Sequence, residues 1–151
     1  MINIIPYEDQ HASIFKSLNM EWLAQYNLLE EYDVLYLSNP REMIIDKGGE
    51  IYLAQSCNEI VGTAAITNEG EGVFELVKMF VSPQFRGMGI SKMLLEKCIE
   101  RAKALGAQKM RLYSNSQLTA AIALYEKSGF HHLPPDNIHY VTADIKMERD
   151  L

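Results

Sequence analysis

Alternating apolar positions along the chain predict a series of short strands. The segments with this period of two, bounded by turn-forming residues, are INIIPY, EIYLAQS, EIVGTAAITN, VFELVKMFV, QKMRLYS and HYVTADIKME. The second and third segments are separated only by residues of the CNE stretch, which predicts a hairpin. FHHLPPDN, with its two prolines, is expected to be a turn.

Apolar residues spaced three and four apart predict the helices. One helix is expected over about residues 8–26, and less regular ones over LLEEYDVLYLSNP and REMIIDKGG. One further helix is expected directly after the loop QFRGMGIS, and another over LTAAIALYEKS. Gly106 and Gly129 are expected to end them.

The order of these elements is strand, helices, three strands, helix, strand, helix, strand. This order predicts a single α/β domain built on a mixed sheet, and 151 residues are enough for one such core. The antiparallel run before the glycine loop argues against a doubly wound nucleotide-binding fold, whose strands alternate with helices.

Charge and composition limit the classes of partner and the cellular setting that we expect. The formal net charge is −6 and no long Lys/Arg run occurs, so we expect no nucleic acid partner. No apolar run approaches the roughly 20 residues of a membrane span, and the N-terminus lacks a signal-peptide pattern. Cys57 and Cys98 show no metal-binding spacing, and Cys98 is expected in the core. We therefore expect a cytoplasmic protein without a metal.

The loop QFRGMGIS combines two glycines with the start of a long amphipathic helix. Free N–H groups at a helix start, together with the helix dipole, favour an anion. Gly87 and Gly89 leave room for a ligand to approach the backbone, and Arg86 adds a positive charge.

Several interpretations of this loop remain open from its residues alone. A Rossmann fingerprint would need glycine at Lys92 and an acidic residue after the next strand, and the Walker pattern is absent. The pattern Q-x-x-G-x-G, formed by Gln84, Gly87 and Gly89, is a third phosphate-binding candidate. A tight turn without any ligand is the fourth interpretation.

A longer comparison is possible over residues 75–130. The segments ELVKMFVSPQFRGMGISKMLLEKCIERAKALG and LYSNSQLTAAIALYEKSGF resemble, in order and separation, the GNAT family of N-acetyltransferases. The resemblance implies one domain over residues 1–151, with variable substrate-side helices in 1–50 and an acetyl-CoA-binding core in 51–151. It also implies a mostly antiparallel sheet, splayed at the coenzyme site and flanked by helices.

The same resemblance implies the coenzyme contacts. The pantetheine arm of acetyl-CoA would pair with the strand backbone at Met79, Phe80 and Val81. The pyrophosphate would meet the backbone of the loop and helix start, with residues Gln84, Arg86, Gly87, Met88, Gly89, Ile90 and Ser91 contributing. Asn115 would bind pantetheine or order a water, although its spacing of ten residues before Tyr125 departs from the family's usual seven, and a turn or helix-cap role remains open.

Two residues carry the chemistry that the resemblance implies. Tyr125 matches the tyrosine that protonates the departing thiolate and would also contact the coenzyme. Glu75 matches a glutamate that serves as base in some members. Strict alternation would place Glu75, Val77, Met79 and Val81 on one face of their strand.

The resulting prediction is an acetyl-CoA-dependent N-acetyltransferase that acts on a primary amine of a small molecule or peptide, by direct attack in a ternary complex. The alternative is a CoA-binding sensor without catalysis. Dimers are frequent in this family, so a homodimer is left open. For the acceptor we expect an aromatic wall or surface acids to contribute, with candidates Trp22, Tyr26, Tyr32, Glu21, Glu30, Glu31 and Asp33. His131, His132 and His139 are expected in a surface loop.

Overall fold

The computed structural model describes residues 1–136 and 140–151, and in these residues seven strands form one sheet. The strands are β1 Ile2–Pro6, β2 Glu50–Ser56, β3 Glu59–Asn68, β4 Val73–Val81, β5 Lys109–Ser114, β6 His131–Leu133 and β7 Ile145–Asp150. The helices are α1 Ala12–Gln25, α2 Glu31–Ser38, α3 Ile90–Ala104 and α4 Thr119–Lys127, with short turns at Asp9–His11, Arg41–Ile45 and Pro83–Phe85.

The sheet has the order β1-β2-β3-β4-β5-β7-β6, and only β4 and β5 pair in parallel. The predicted mixed, mostly antiparallel sheet is therefore confirmed. Helix α3 buries its apolar stripe on one face of the sheet, where Leu94 and Cys98 are fully enclosed. Helices α1 and α2 cover the other face through Phe15 and Leu37. Among the described residues, no helix has the length and apolar character needed to cross a membrane.

Strands β4 and β5 separate after four paired positions. Their register runs from Val73 opposite Lys109 to Leu76 opposite Leu112. Strand β4 then continues to Val81 and β5 to Ser114 without pairing to each other. The splay predicted for this sheet therefore lies between β4 and β5.

A bulge in β4 overturns the strict alternation predicted for that strand. Lys78 has a φ of 54°, and the pairing with β3 shifts at the same place. The extra residue reverses the faces beyond it, as a β-bulge does. Val77 and Phe80 therefore lie on the α1 side, whereas Met79 and Val81 pack in the core under α3.

The C-terminal strand prediction was also wrong in its bounds. The expected turn FHHLPPDN contains strand β6, which pairs with Lys146–Glu148 of β7. The last strand begins at Ile145, and the described residues 140–144, which were also predicted as strand, are not part of it; His139 lies outside the described residues. These ends depend on which backbone groups find a partner strand, and the apolar pattern does not contain that information.

Candidate active site

A cavity of about 540 Å³ opens where β4 and β5 separate. Its walls come from the second half of β4, the loop to α3, the end of β5, the start of α4, and helix α1. Among the residues that line it are Trp22, Tyr26, Asp33, Glu75, Lys78, Met79, Val81, Arg86, Gly87, Gly89, Asn115, Tyr125 and Tyr140. The split in the sheet therefore creates an elongated space that reaches from one helical layer to the glycine loop.

The glycine loop is built to leave its backbone open. Gly87 and Gly89 have φ values of 80° and 79°, a conformation that residues with a Cβ adopt reluctantly. A Cβ atom placed on either glycine would meet no protein atom within 4 Å. Gly89 immediately precedes α3, so the free N–H groups of the first helical turn lie beside it. The loop therefore suits an anionic ligand that approaches the backbone closely.

Most of the predicted coenzyme-binding residues lie together at this cavity. Met79, Phe80, Val81, Arg86, Gly87, Gly89, Ile90 and Ser91 all line it. Gln84 and Met88 do not line this cavity. Gln84 lines a second cavity, and the Met88 side chain is exposed. The Nε of Arg86 donates to the carbonyl oxygen of Val81 over 3.3 Å, which ties the loop to the end of β4. The role of each residue in binding stays a prediction.

Tyr125 is presented to the cavity by α4. Its side chain is buried, and its ring packs edge-on against Phe130 at a centroid distance of 5.9 Å. In the part of the chain that the structure describes, its hydroxyl has no hydrogen-bond partner, whereas every fully enclosed polar side-chain atom has one. The hydroxyl is therefore open to the cavity. Burial raises the pKa of Tyr125 above its usual value, so the phenol carries its proton at neutral pH.

Glu75 lies at the point where β4 leaves β5. Its side chain is buried, and its Oε1 accepts a hydrogen bond of 2.9 Å from Nε of Arg111. The same guanidinium donates to Glu69 over 2.9 Å. Burial raises the pKa of Glu75 to about 7, an effect that exceeds the opposing influence of Arg111. A carboxyl group with this pKa exchanges a proton readily at neutral pH.

Sequence reasoning missed a buried ion pair at the same end of the cavity. The Lys78 ammonium donates to Oδ1 of Asp33 on α2, and both side chains are nearly inaccessible to solvent. Lys78 also donates to the hydroxyl of Tyr140 over 3.4 Å. Burial lowers the pKa of Lys78, while Asp33 acts in the opposite direction. The one available signal was a lysine in the middle of an apolar strand.

Asn115 lines the cavity, but its side chain is engaged within the protein. Its Nδ2 donates to the carbonyl of Thr142 over 2.8 Å, and its Oδ1 accepts from the N–H of Gln117. Helix α4 begins four residues later, at Thr119, without a side-chain cap. Asn115 therefore stabilises a turn and does not cap the helix, and its role toward a coenzyme stays a prediction.

The remaining candidates have varied surroundings. Trp22 stacks parallel to Phe80 at 5.8 Å between centroids, and both line the cavity. His131 is exposed, and Nε2 of His132 lies 2.9 Å from Oε2 of Glu126. Within residues 1–136 and 140–151, no group of three or more His, Cys, Asp or Glu side chains could hold a metal.

The split sheet and the open loop define an α/β protein with a cavity between two strands and an accessible backbone loop at one end of it. The family model described as "Acetyltransferase (GNAT) family" matches residues 12–130 of this chain. The chain therefore belongs to the GNAT family of acetyltransferases.

Individual relatives agree with this family membership. The uncharacterized N-acetyltransferase YjgM of Escherichia coli is 30% identical over 131 residues, which cover 85% of this chain and 75% of YjgM. A GNAT acetyltransferase structure from Staphylococcus aureus superposes with a TM-score of 0.92 at 24% identity, covering 100% of this chain and 99% of that one. The Thermoplasma acidophilum PaiA N-acetyltransferase, solved in complex with coenzyme A, has a TM-score of 0.77 at 18% identity, covering 100% and 99%.

Proposed function

We propose that this protein is an acetyl-CoA-dependent N-acetyltransferase that acts on a primary amine of a small molecule or peptide. The observation that carries the proposal is one continuous cavity that contains an anion-binding loop, Glu75 and Tyr125. Direct attack of the amine, with both substrates bound, needs all three within one space. The fold likeness to the Thermoplasma protein, solved with coenzyme A, supports the same donor here.

The residues present fit the coenzyme. The loop offers open backbone at Gly87 and Gly89, the free amides of the first turn of α3, and the positive charge of Arg86. These features favour a pyrophosphate. The edge of β4 beyond Leu76 has no β5 partner and is free to pair with an extended amide-containing arm. When bound, acetyl-CoA would supply a thioester whose carbonyl carbon receives the amine.

Glu75 and Tyr125 would divide the proton transfers. An amine attacks only in its neutral form, and a carboxylate with a pKa near 7 is suited to remove the proton, directly or through a water. The Tyr125 phenol is protonated and lacks a partner among the described residues, so it is able to donate to a leaving thiolate. Unpaired backbone N–H groups of β4 are available to stabilise charge on the carbonyl oxygen.

Purified protein, acetyl-CoA and a panel of primary amines would test the proposal. Release of free thiol should depend on the amine, and mass spectrometry should find the acetylated product. Binding of CoA without acetylation of any amine would overturn the enzyme proposal and favour a CoA-binding sensor. Absence of both CoA binding and turnover would overturn the assignment of the cavity as a coenzyme site.

A further inference from the structure

The charged side chains that line the cavity separate into two groups. Among the described lining residues, Arg86 and Lys92 lie at the loop and the start of α3, next to the predicted pyrophosphate position. Asp33, Glu75 and Lys78 belong to α2 and to the middle of β4. The second group therefore determines the electrostatic surroundings of the acceptor.

The cation of this second group is already neutralised. Lys78 donates to Asp33, and the two side chains are only 5% and 3% exposed, so the pair is shielded from water. The Lys78 ammonium also donates to the Tyr140 hydroxyl, and its Nζ lies 5.3 Å from the centroid of the Tyr140 ring. Binding an additional anion would require Lys78 to leave a buried carboxylate, which is energetically costly.

The charged side chains next to this group, Arg111 and Glu30, are also bound within the protein. Arg111 donates to both Glu75 and Glu69, so its guanidinium is already paired with two carboxylates. Glu30, the residue before α2, accepts hydrogen bonds from the N–H groups of Val141 and Thr142. These bonds connect the segment that begins at Tyr140 to the start of α2. Neither side chain lines the cavity.

Aromatic side chains form much of the remaining wall at this end. Trp22 and Phe80 stack on one side, with Tyr26 beside Trp22 at a centroid distance of 6.4 Å. Tyr140 lies next to Lys78 and contributes another ring. Such walls stabilise an apolar or aromatic body and also attract an ammonium group.

We infer that the acceptor is a monoamine with an uncharged apolar body and no carboxylate, because the acceptor end holds aromatic walls and a lysine already paired to Asp33. This inference rests on the proposed acetyltransferase function. An acceptor carboxylate would lie near Asp33 and Glu75, and Lys78, the cation among the described lining residues at this end of the cavity, is already paired. A second ammonium would find one carboxylate bound to Lys78 and the other assigned to proton removal.

Matched acceptors test the inference directly. Phenethylamine and phenylalanine differ by a carboxylate, and butylamine and 1,4-diaminobutane differ by a second amine. We expect kcat/KM for each monoamine to exceed that of its charged partner by at least about tenfold when compared at equal concentrations of the neutral amine. Equal or reversed values in both pairs would overturn the inference while leaving the proposed function intact.

Asp33→Asn provides a second test, because it keeps the size of the side chain and removes the charge that holds Lys78. With Asp33 neutralised, a carboxylate on the acceptor would supply the counter-charge that favours protonated Lys78, so the phenylalanine to phenethylamine ratio of kcat/KM should rise about tenfold or more. Glu42→Gln, an exposed change outside the residues that line the cavity, should leave the ratio unchanged.

The outcomes separate this inference from the proposed function. An unchanged ratio in folded Asp33→Asn would contradict the role of the ion pair, and if that variant does not fold, the matched pairs on the wild type still decide. No turnover with any amine, despite CoA binding, would overturn the proposed function and this inference with it.

Discussion

Nε of Arg111 donates a hydrogen bond to Oε1 of Glu75 over 2.9 Å, and yet the pKa of Glu75 is raised to about 7. Burial of the carboxylate has the larger effect, and Glu69 adds a second negative charge that shares the same guanidinium. Arg111 therefore positions the Glu75 carboxyl group without holding it permanently ionised. This balance suits a group that must take up and release a proton near neutral pH.

Glu75→Gln should lower kcat/KM by about 100-fold or more, the usual contribution of a general base, while CoA affinity stays within about twofold. Wild-type kcat/KM, corrected for the neutral fraction of the amine, should rise through pH 7 and level off above it. Steady-state rates from pH 5.5 to 9 measure both effects. Glu42→Gln, an exposed control, should match the wild type. An unchanged pH profile in Glu75→Gln would remove the base role.

The same pKa predicts a dependence of stability on pH. The folded state binds the Glu75 proton more tightly than the unfolded chain, whose carboxyl has a pKa near 4.5. The contribution of this group is therefore full below about pH 4.5 and is lost as the pH rises through about 7, on the order of 1–3 kcal/mol. Thermal unfolding at pH 5 and pH 8 should show Glu75→Gln gaining Tm relative to the wild type at the higher pH. A constant difference would contradict the raised pKa.

Gly89→Leu should weaken CoA binding by at least about tenfold, because a side chain would enter the space beside the free amides of α3. Gly106→Leu is the matched control at the other end of that helix, since Gly106 has a φ of 88° and its added Cβ would also meet no atom within 4 Å. Both variants should lose similar stability, on the order of 1 kcal/mol, from the positive φ. Calorimetric titration with CoA separates them, and equal affinities would exclude the loop as the binding site.

Tyr125→Phe should lower kcat about 10- to 100-fold and leave CoA affinity nearly unchanged, because only the proton donor is lost. Tyr52→Phe also removes a buried hydroxyl, but that one donates to Glu50 over 2.6 Å and does not line the cavity. The control should therefore lose some stability and keep its turnover. Pre-steady-state rates compare the chemical step in both, and an equal rate in Tyr125→Phe would contradict the acid role.

The Lys78–Asp33 pair should behave as a coupled unit in stability measurements. Lys78→Met leaves a buried carboxylate alone, and the expected cost is about 3 kcal/mol. Asp33→Asn should also destabilise, whereas the double variant should recover much of the loss. A double-mutant cycle by urea unfolding measures the coupling energy, which should be about 2 kcal/mol. Additive costs would show that the two side chains contribute independently.

Much of the site could be predicted from local sequence. Gly87 and Gly89 showed where the backbone opens before a helix, and Tyr125 lies on the next helix toward the split. Glu75 was predicted as a base from the family resemblance, and in the structure its buried side chain lines the cavity. These residues follow from motifs that require a particular backbone conformation or spacing, so their places are encoded over short stretches.

Local sequence patterns were enough to predict the order of β1 to β5 and of the helices, the glycine loop and the amphipathic α3, because periodicity and glycine conformation are local properties. The bulge at Lys78, the faces of the residues after it, strand β6 and the pairing of Lys78 with Asp33 became visible in the folded chain alone. An ion pair between residues 45 positions apart depends on how α2 packs over β4. Strand alternation assumes a regular ladder, and one inserted residue in that ladder is enough to turn a buried lysine toward the acceptor end of the cavity.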